Sequence, residues 1–385
     1  MRISEIIKKF GLKKKLPEVA EPFPDVIGYS GENRETTSEK TDSVFSLPEE
    51  SSLKGERKLE FINQYGSLPA EQIYGEAINS IKGVFTSFLE SNKLIFDFKL
   101  IKETVKKIVA KILSTDNQIT ALVNKSTPDN YLYAHSVNVC ILSIKLASRL
   151  GWSEDKLTLL GISALFHDIG MVFVFSLVTK PGRLTLQEYE QIKKHPLYGK
   201  KILEKLNNEI EENVKELLIL IAYQQHERID GQGYPQGLRG KDLHEFVKII
   251  GLVDVYESLT HPRPHRESML PREALCYLIA TSEGKFDPTL LRIFVEELSL
   301  YPLGSFVKLN TEEIGEVVKI NHRFLNRPVL KVILGTNGEK LEPERYVDLT
   351  EILTLHIWGP VDETKLKIND KKLMLKLKLR RWWMS

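Results

Sequence analysis

The sequence predicts a mostly α-helical protein with a small β-rich, barrel-like module near its C-terminal end. Apolar residues recur at helical spacing from about residue 69 to residue 300. After Tyr301 the pattern changes to short β-rich runs, GSFVKLN, GEVVKIN and PVLKVIL, which Gly, Asn and Pro separate. The length of 385 residues allows two or three domains.

Composition narrows the class of protein. Hydrophobic residues make up 42% of the chain and charged residues 28%, which is typical of a soluble globular protein. The net charge of +2 gives no general attraction to nucleic acid. Cys140 and Cys276 form no CxxC pair, so a disulfide scaffold is not expected. We find no apolar run long enough to cross a bilayer and no signal peptide, and we expect a cytoplasmic protein.

The N-terminal part divides into two segments. Residues 1–57 form a basic N-terminus and a linker rich in Pro, Ser, Thr and Glu, which we expect to be disordered. The first 15 residues place Ile and Phe on one helical face, which fits a membrane-surface anchor or a short frayed terminus. Residues 58–119 form N-terminal helices that are compatible with a homodimer contact or a regulatory contact.

Three further segments follow. Residues 120–300 form the main helical domain, and residues 301–362 form the β-rich module. Residues 363–385 form a basic, aromatic tail that ends near Trp382 and Trp383. The tail fits binding to a membrane surface or a polyanion, or an edge strand, and these alternatives stay open.

Polar side chains inside the apolar helices predict a metal centre. His167 and Asp168 are adjacent at the end of the run SALFHDIG. Neighbouring residues on a helix point about 100° apart, so one ion can take the imidazole while the carboxylate reaches a second ion. Asp254 lies on another apolar helix face, where a carboxylate needs a cation or a hydrogen-bond network.

Each of these residues alone also has a structural explanation. A single histidine on an apolar helix is usually a hydrogen-bonded core residue, and His195 precedes a helix-starting proline. Taken together, six side chains offer nitrogen and oxygen ligands without a thiolate, which suits Mn or Fe better than structural zinc. They are His135, His167, Asp168, His195, His226 and Asp254.

These motifs resemble those of a known family. HS at 135, HDIG at 167–170, KPGRLT at 180–185, HP at 195, HE at 226 and DGQGYP at 230–235 occur in this order. The combination, over roughly residues 120–300, resembles the HD-GYP subfamily of HD-domain phosphohydrolases. The resemblance implies an HD-type helical bundle with a metal centre, a C-terminal β-rich extension and hydrolysis of cyclic di-GMP.

The resemblance also implies roles for individual residues. His135, His167, Asp168 and Asp254 match the first metal's ligands, with Asp168 bridging and the pair His167–Asp168 catalytic. The second metal's ligands are His195 and His226, and the metal pair is Fe or Mn. The substrate-contacting positions are Tyr234, Arg263 and Arg266. Loop residues Asp230, Gly231, Gly233 and Pro235 complete the motif, in which the glycines permit a tight turn.

Two residues depart from the family pattern. Gln225 stands where a histidine is usual, and its carbonyl oxygen is a weaker ligand for Mn or Fe than an imidazole. Met171 stands where a lysine would bring a positive charge toward the phosphate. Both changes predict a weakened second metal site or a slower reaction.

Two functions follow from this pattern. The first is a metal-dependent phosphodiesterase that hydrolyses cyclic di-GMP in bacterial signalling. The alternative is a catalytically weakened module that binds a cyclic dinucleotide, or a partner such as a diguanylate cyclase, without turnover. A phosphohydrolase acting on another nucleotide is disfavoured by the loop around Tyr234.

Overall fold

The computed structural model describes residues 55–114, 118–123, 131–206, 210–263, 268–337 and 339–362. The predictions for the basic terminus and linker, for the aromatic tail and for Arg266 lie outside the described residues. The helices are α1 (Gly55–Tyr65), α2 (Ala70–Ser91), α3 (Phe98–Leu113), α4 (Gln118–Leu122), α5 (Tyr131–Ser148), α6 (Glu154–Phe166), a 3₁₀ helix (Ile169–Val174), α7 (Phe175–Val178), α8 (Leu186–Ile192), α9 (His195–Leu203), α10 (Glu212–Gln224), α11 (Glu245–Thr260), α12 (Pro271–Thr281) and α13 (Pro288–Leu298).

Local signals in the sequence set the ends of helix α6. Ser153 precedes the helix and accepts a hydrogen bond from the backbone N–H of Lys156, which satisfies an otherwise unpaired donor. Glu154 and Asp155 in the first turn complement the positive end of the helix dipole. The α-helix ends at Phe166, and the chain tightens into the 3₁₀ helix directly after Asp168.

Helices α5, α6 and α11 form the centre of the helical domain. Most of the described residues of these helices are buried, including all but two residues of α11. A helix that is buried on all sides has apolar residues all round rather than on one stripe. The polar residues that they do bury, such as His135 and Asp254, therefore need partners in the interior.

The C-terminal module is a five-stranded antiparallel sheet. Its strands are β1 (Phe306–Leu309), β2 (Ile314–Lys319), β3 (Val329–Leu334), β4 (Lys340–Asp348) and β5 (Ile357–Val361). Their order in the sheet is β4-β3-β2-β1-β5. The module buries its own apolar cluster, in which Val307, Val317 and Leu330 are central. The prediction of a mostly helical protein with a small β-rich module is confirmed.

One expectation about membrane-spanning segments needs correction. Among the described residues, the helical run Glu154–Val178 is long and apolar enough to cross a bilayer, although we had expected no run of that length. Within its most apolar window, 89% of the residues are buried inside the protein. The run carries His167 and Asp168, and its apolar character reflects burial on all sides within the helical core.

Candidate metal centre

A first group of three ligands forms where the central helices meet. His135 comes from α5, His167 follows the end of α6, and Asp254 comes from α11. Their ligand atoms all lie within 4.8 Å of one another, and all three residues are buried. Residues that are far apart in the sequence therefore converge on one point in the interior.

A second group of three lies beside the first. The ligand atoms of Asp168, His195 and His226 also lie within 4.8 Å of one another. Asp168 faces both groups, because Oδ2 is 3.5 Å from Nε2 of His135 and Oδ1 is 3.2 Å from Nε2 of His195. A carboxylate in this position can offer one oxygen to each of two cations.

Hydrogen bonds to the backbone fix two of the imidazoles. Nδ1 of His167 lies 2.7 Å from the carbonyl oxygen of Ala164, and Nδ1 of His195 lies 2.8 Å from that of Ile192. Because a carbonyl can only accept, both Nδ1 atoms carry the hydrogen, and both Nε2 atoms present a lone pair.

The donor set fits a cation. The Nε2 atoms of His135 and His167 are buried and have no hydrogen-bond partner within the described part of the chain. Such atoms are costly to bury unless something binds them, and imidazole and carboxylate are ligands that Fe and Mn accept. The residues present are therefore compatible with the divalent metals that HD domains use.

A carboxylate behind His135 was missed by the sequence reasoning. Glu257 bonds to Nδ1 of His135, and it accepts a hydrogen bond of 2.9 Å from Nδ2 of Asn138. Asn138 in turn accepts a hydrogen bond of 2.9 Å from the hydroxyl of Tyr74. The available signal was a second carboxylate on the apolar helix α11, one turn after Asp254.

Burial and neighbouring charges shift the pKa values of the site. Burial opposes protonation of His135, but the charge of Glu257 and the nearby carboxylates of Asp168 and Asp254 hold its pKa well above the usual value. Burial and the nearby His195 lower the pKa of His226 to about 3. A cation held by the first group would take the place of the proton that these carboxylates favour on His135.

The carboxylate of Glu227 stabilises the glycine-rich loop through hydrogen bonds to its backbone. The buried Glu227 carboxylate accepts hydrogen bonds from the backbone N–H groups of three loop residues, at 2.6, 3.2 and 2.9 Å. The donors are Gln236, Gly237 and Leu238. Gly233 packs so closely that a Cβ atom there would lie 2.3 Å from the backbone nitrogen of Arg228.

Other predicted loop residues also have definite positions. Gly231 has a φ of +79°, a conformation that a glycine adopts without strain. Oδ1 of Asp230 accepts a hydrogen bond of 2.9 Å from the backbone N–H of Gln232, two residues on. The Tyr234 ring, which precedes Pro235, stacks on the His226 ring with 4.7 Å between centroids. The loop therefore borders the second group of ligands.

The remaining predicted residues are the two arginines expected to contact the substrate and the two departures from the family pattern. Arg263 is half-buried and follows the end of α11, while Arg266 lies outside the described residues. Gln225 is fully buried, and its amide nitrogen faces Asp168 and His195. Met171 is 8% exposed and packs into the apolar core of the helical domain.

Comparison with known proteins matches this arrangement. The family model for the HD domain matches residues 107–290, and the model for the KOW domain associated with the HD domain matches residues 306–369. A cyclic di-GMP phosphodiesterase of Pseudomonas aeruginosa is 31% identical over 313 residues, which are 79% of this chain and 74% of that protein.

Two further relatives match over shorter stretches. A cyclic di-GMP phosphodiesterase of Borreliella burgdorferi is 30% identical over 214 residues, which are 55% of this chain and 55% of that protein. A 3′3′-cGAMP-specific phosphodiesterase of Vibrio cholerae is 30% identical over 182 residues, which are 47% of this chain and 38% of that protein.

Fold, site and relatives together define an HD-domain phosphodiesterase, a hydrolase of phosphoric diesters. Within this class the chain belongs to the HD-GYP family, and the resemblance found in the sequence is confirmed.

Proposed function

We propose that this chain is a metal-dependent phosphodiesterase that hydrolyses cyclic di-GMP. The observation that carries the proposal is the meeting of two ligand groups at the buried Asp168, one with His135 and the other with His195. Structural histidines are usually hydrogen-bonded at both nitrogens, whereas the inward Nε2 atoms here converge with carboxylates. This convergence supports a centre for a pair of Fe or Mn ions.

Each residue has a defined task in this proposal. His135, His167 and Asp254 would hold the first ion, His195 and His226 would hold the second, and Asp168 would offer its carboxylate to both. When bound, such an ion pair lowers the pKa of a water molecule and neutralises the phosphodiester that is attacked. The backbone carbonyls of Ala164 and Ile192 keep the lone pairs of two imidazoles directed inward.

Residues around the second group suit a nucleotide. The ring of Tyr234 lies flat against His226 at the border of the site, where an aromatic face can stack on a purine base. Arg263 follows the end of α11, and the resemblance assigns it to the substrate, for which its guanidinium has forked donors that suit a phosphate oxygen or a guanine edge. These positions support a cyclic dinucleotide as the class of substrate.

The choice of cyclic di-GMP rests on the relatives. The relatives from Pseudomonas aeruginosa and Borreliella burgdorferi are named for cyclic di-GMP, and the Vibrio cholerae relative is named for 3′3′-cGAMP. The first of these covers much more of the chain, so we propose cyclic di-GMP as the substrate. Parallel assays of both dinucleotides, each at equal concentration, test this choice directly.

A second function is favoured by the two departures from the family pattern. Gln225 replaces an imidazole with an amide, and Met171 contributes no charge toward a phosphate. These residues support a module that binds a cyclic dinucleotide or a diguanylate cyclase and signals without turnover. Calorimetric binding of cyclic di-GMP, combined with no product over hours in the presence of Mn²⁺, favours this alternative.

Removal of single ligands tests the proposed enzyme. We expect His167→Ala and Asp168→Ala each to lose bound ion and hydrolysis, because both residues contact the shared centre. His356→Ala is the matched control, since His356 is exposed on the β module. Unchanged ion content in the first two variants contradicts the assignment of the metal centre.

A further inference from the structure

The side chain of Gln225 lies directly in front of the second ligand group. It is completely buried, and its Nε2 donates hydrogen bonds to the backbone oxygen of His167 at 2.9 Å and to Oδ1 of Asp168 at 2.8 Å. The same nitrogen is 3.1 Å from Nε2 of His195. The amide thus contacts two of the three residues that form this group.

The orientation of the amide follows from its neighbours. The carbonyl of His167, the carboxylate of Asp168 and the lone pair of His195 are all acceptors, so an NH₂ group, which can donate to two of them, fits this position and an oxygen would be repelled. Nε2 of His226 also lies 3.0 Å from Nε2 of His195 and can donate to its lone pair. Oε1 of Gln225 is buried without a hydrogen-bond partner in the described part of the chain.

A cation bound at the second ligand group needs the same atoms that the Gln225 amide contacts. The Gln225 nitrogen is 2.8 Å from Oδ1 of Asp168 and 3.1 Å from Nε2 of His195, so an ion bound to both atoms would lie against the N–H groups of the amide, whose partial positive charge repels it. Binding of an ion therefore requires the amide to leave or to turn over and present Oε1. Either change breaks two hydrogen bonds in a buried setting, where unpaired polar groups are costly.

We infer that Gln225 is an internal stand-in for the second cation. The NH₂ group of its amide carries a partial positive charge and occupies the position where the ion would sit. The chain then binds one ion tightly, at His135, His167, Asp168 and Asp254, and a second ion only in competition with its own amide. This inference rests on the proposed function and specifies how the same site is loaded.

The variant Gln225→Ala distinguishes two explanations: the Gln225 amide competes with the second ion, or it is a weak ligand of that ion. If the amide competes with the ion, its removal leaves Asp168, His195 and His226 free and the second ion binds more tightly than in wild type. If Gln225 instead ligates the ion through Oε1, the same variant binds the second ion more weakly. The two explanations thus predict opposite changes for one substitution.

The experiment titrates Mn²⁺ alone into chelator-treated full-length protein. Elemental analysis counts the bound ions, and calorimetry measures their affinities. A spin-coupled electron paramagnetic resonance signal shows whether two ions are bound next to each other. We expect one tight Mn²⁺ in wild type and a second that is ~10-fold or more weaker, in the range of effects of residues around metal ligands. Gln225→Ala and Gln225→His should both bind the second ion ~10-fold or more tightly than wild type.

Control variants keep the outcome interpretable. Gln224→Ala removes the neighbouring amide, which bonds to Gln236 outside the ligand groups, and should leave both affinities unchanged. Gln225→Asn shortens the amide by one methylene and replaces the alanine variant if that variant does not fold. This variant should also bind the second ion more tightly than wild type, because the nitrogen of the shorter side chain no longer reaches Asp168.

Three results would overturn the inference. Two equally tight ions in wild type, or weaker binding of the second ion in Gln225→Ala, contradict it while leaving the proposed function intact. Absence of any bound ion in wild type and in every variant overturns the inference and the proposed metal centre together.

Discussion

Glu257 lies directly behind His135 and bonds to Nδ1 of its imidazole, so that Nε2 points toward Asp168 and Asp254. A carboxylate that orients a ligating histidine fixes its tautomer and raises its basicity, and loss of such a partner typically costs about 10–100-fold in metal affinity. We therefore expect Glu257→Gln to bind the first ion about 10–100-fold more weakly, as measured by calorimetry with Mn²⁺.

Glu245→Gln provides the matched control for Glu257. Glu245 lies on the same helix but is exposed, and its ion pair with Lys156 is at the surface, where such pairs contribute little. We expect this variant to keep wild-type affinity. Equal weakening in both variants would mean that helix α11 responds to any loss of charge and that Glu257 has no specific role.

The glycine-rich loop should loosen when Glu227 is removed. Its carboxylate accepts hydrogen bonds from the backbone N–H groups of Gln236, Gly237 and Leu238, and Glu227→Ala leaves all three donors without this acceptor. We expect faster hydrogen exchange over residues 230–238, because protection there depends on these bonds. Unchanged exchange over the loop, compared with Glu204→Ala at an exposed position just after the end of α9, would contradict this role.

Close packing between the 3₁₀ helix and α9 holds His195 against the site. A Cβ atom at Gly170 would lie 2.0 Å from the carbonyl oxygen of His195 and 2.5 Å from the backbone nitrogen of Gly199. We expect Gly170→Ala to destabilise the protein by about 1–3 kcal/mol, the usual cost of overpacking. The free energy of unfolding in urea measures this.

Gly83→Ala is the control for this substitution. Gly83 lies within helix α2, and a Cβ atom there meets nothing within 4 Å. Because alanine is the better helix former, we expect this variant to gain up to about 1 kcal/mol. Similar losses in both variants would show that the contact of Gly170 with His195 is not the cause.

Ion removal should lower thermal stability. The buried carboxylates of Asp168 and Asp254 lie 3.5 and 3.2 Å from Nε2 of His135, and a cation that binds only the folded state stabilises it by mass action. At a free ion concentration 100 times the Kd, the gain is about 2.7 kcal/mol. We expect a chelator to lower the unfolding temperature of wild type and to leave that of His167→Ala unchanged.

The sequence predicted the fold class because local patterns encode it. Apolar residues at helical spacing report which face of a helix is buried, and short β-rich runs report strands. The strand order of the sheet could not be read in this way, since pairing joins segments that are distant in the chain. The apolar run 154–178 reflects burial inside the helical core, which depends on contacts between distant segments and cannot be read from the run itself.

The site was only partly accessible to sequence reasoning. Motif order identified the residues that the structure brings together in two groups, from His135 to Asp254. Glu257 was missed because its contact with His135 joins residues 122 positions apart. The sequence identified Gln225 as a weak ligand, but only the three acceptors around its amide indicate which end faces the site.

The measurement that tests the central proposal most directly is hydrolysis of cyclic di-GMP by the full-length protein, purified without oxygen and supplied with Mn²⁺ or Fe²⁺. Linear dinucleotide or GMP should appear, and a chelator or the His167→Ala substitution should abolish it. A folded protein that holds ion at the centre around Asp168 yet releases no product would contradict the proposed enzyme and favour the binding module.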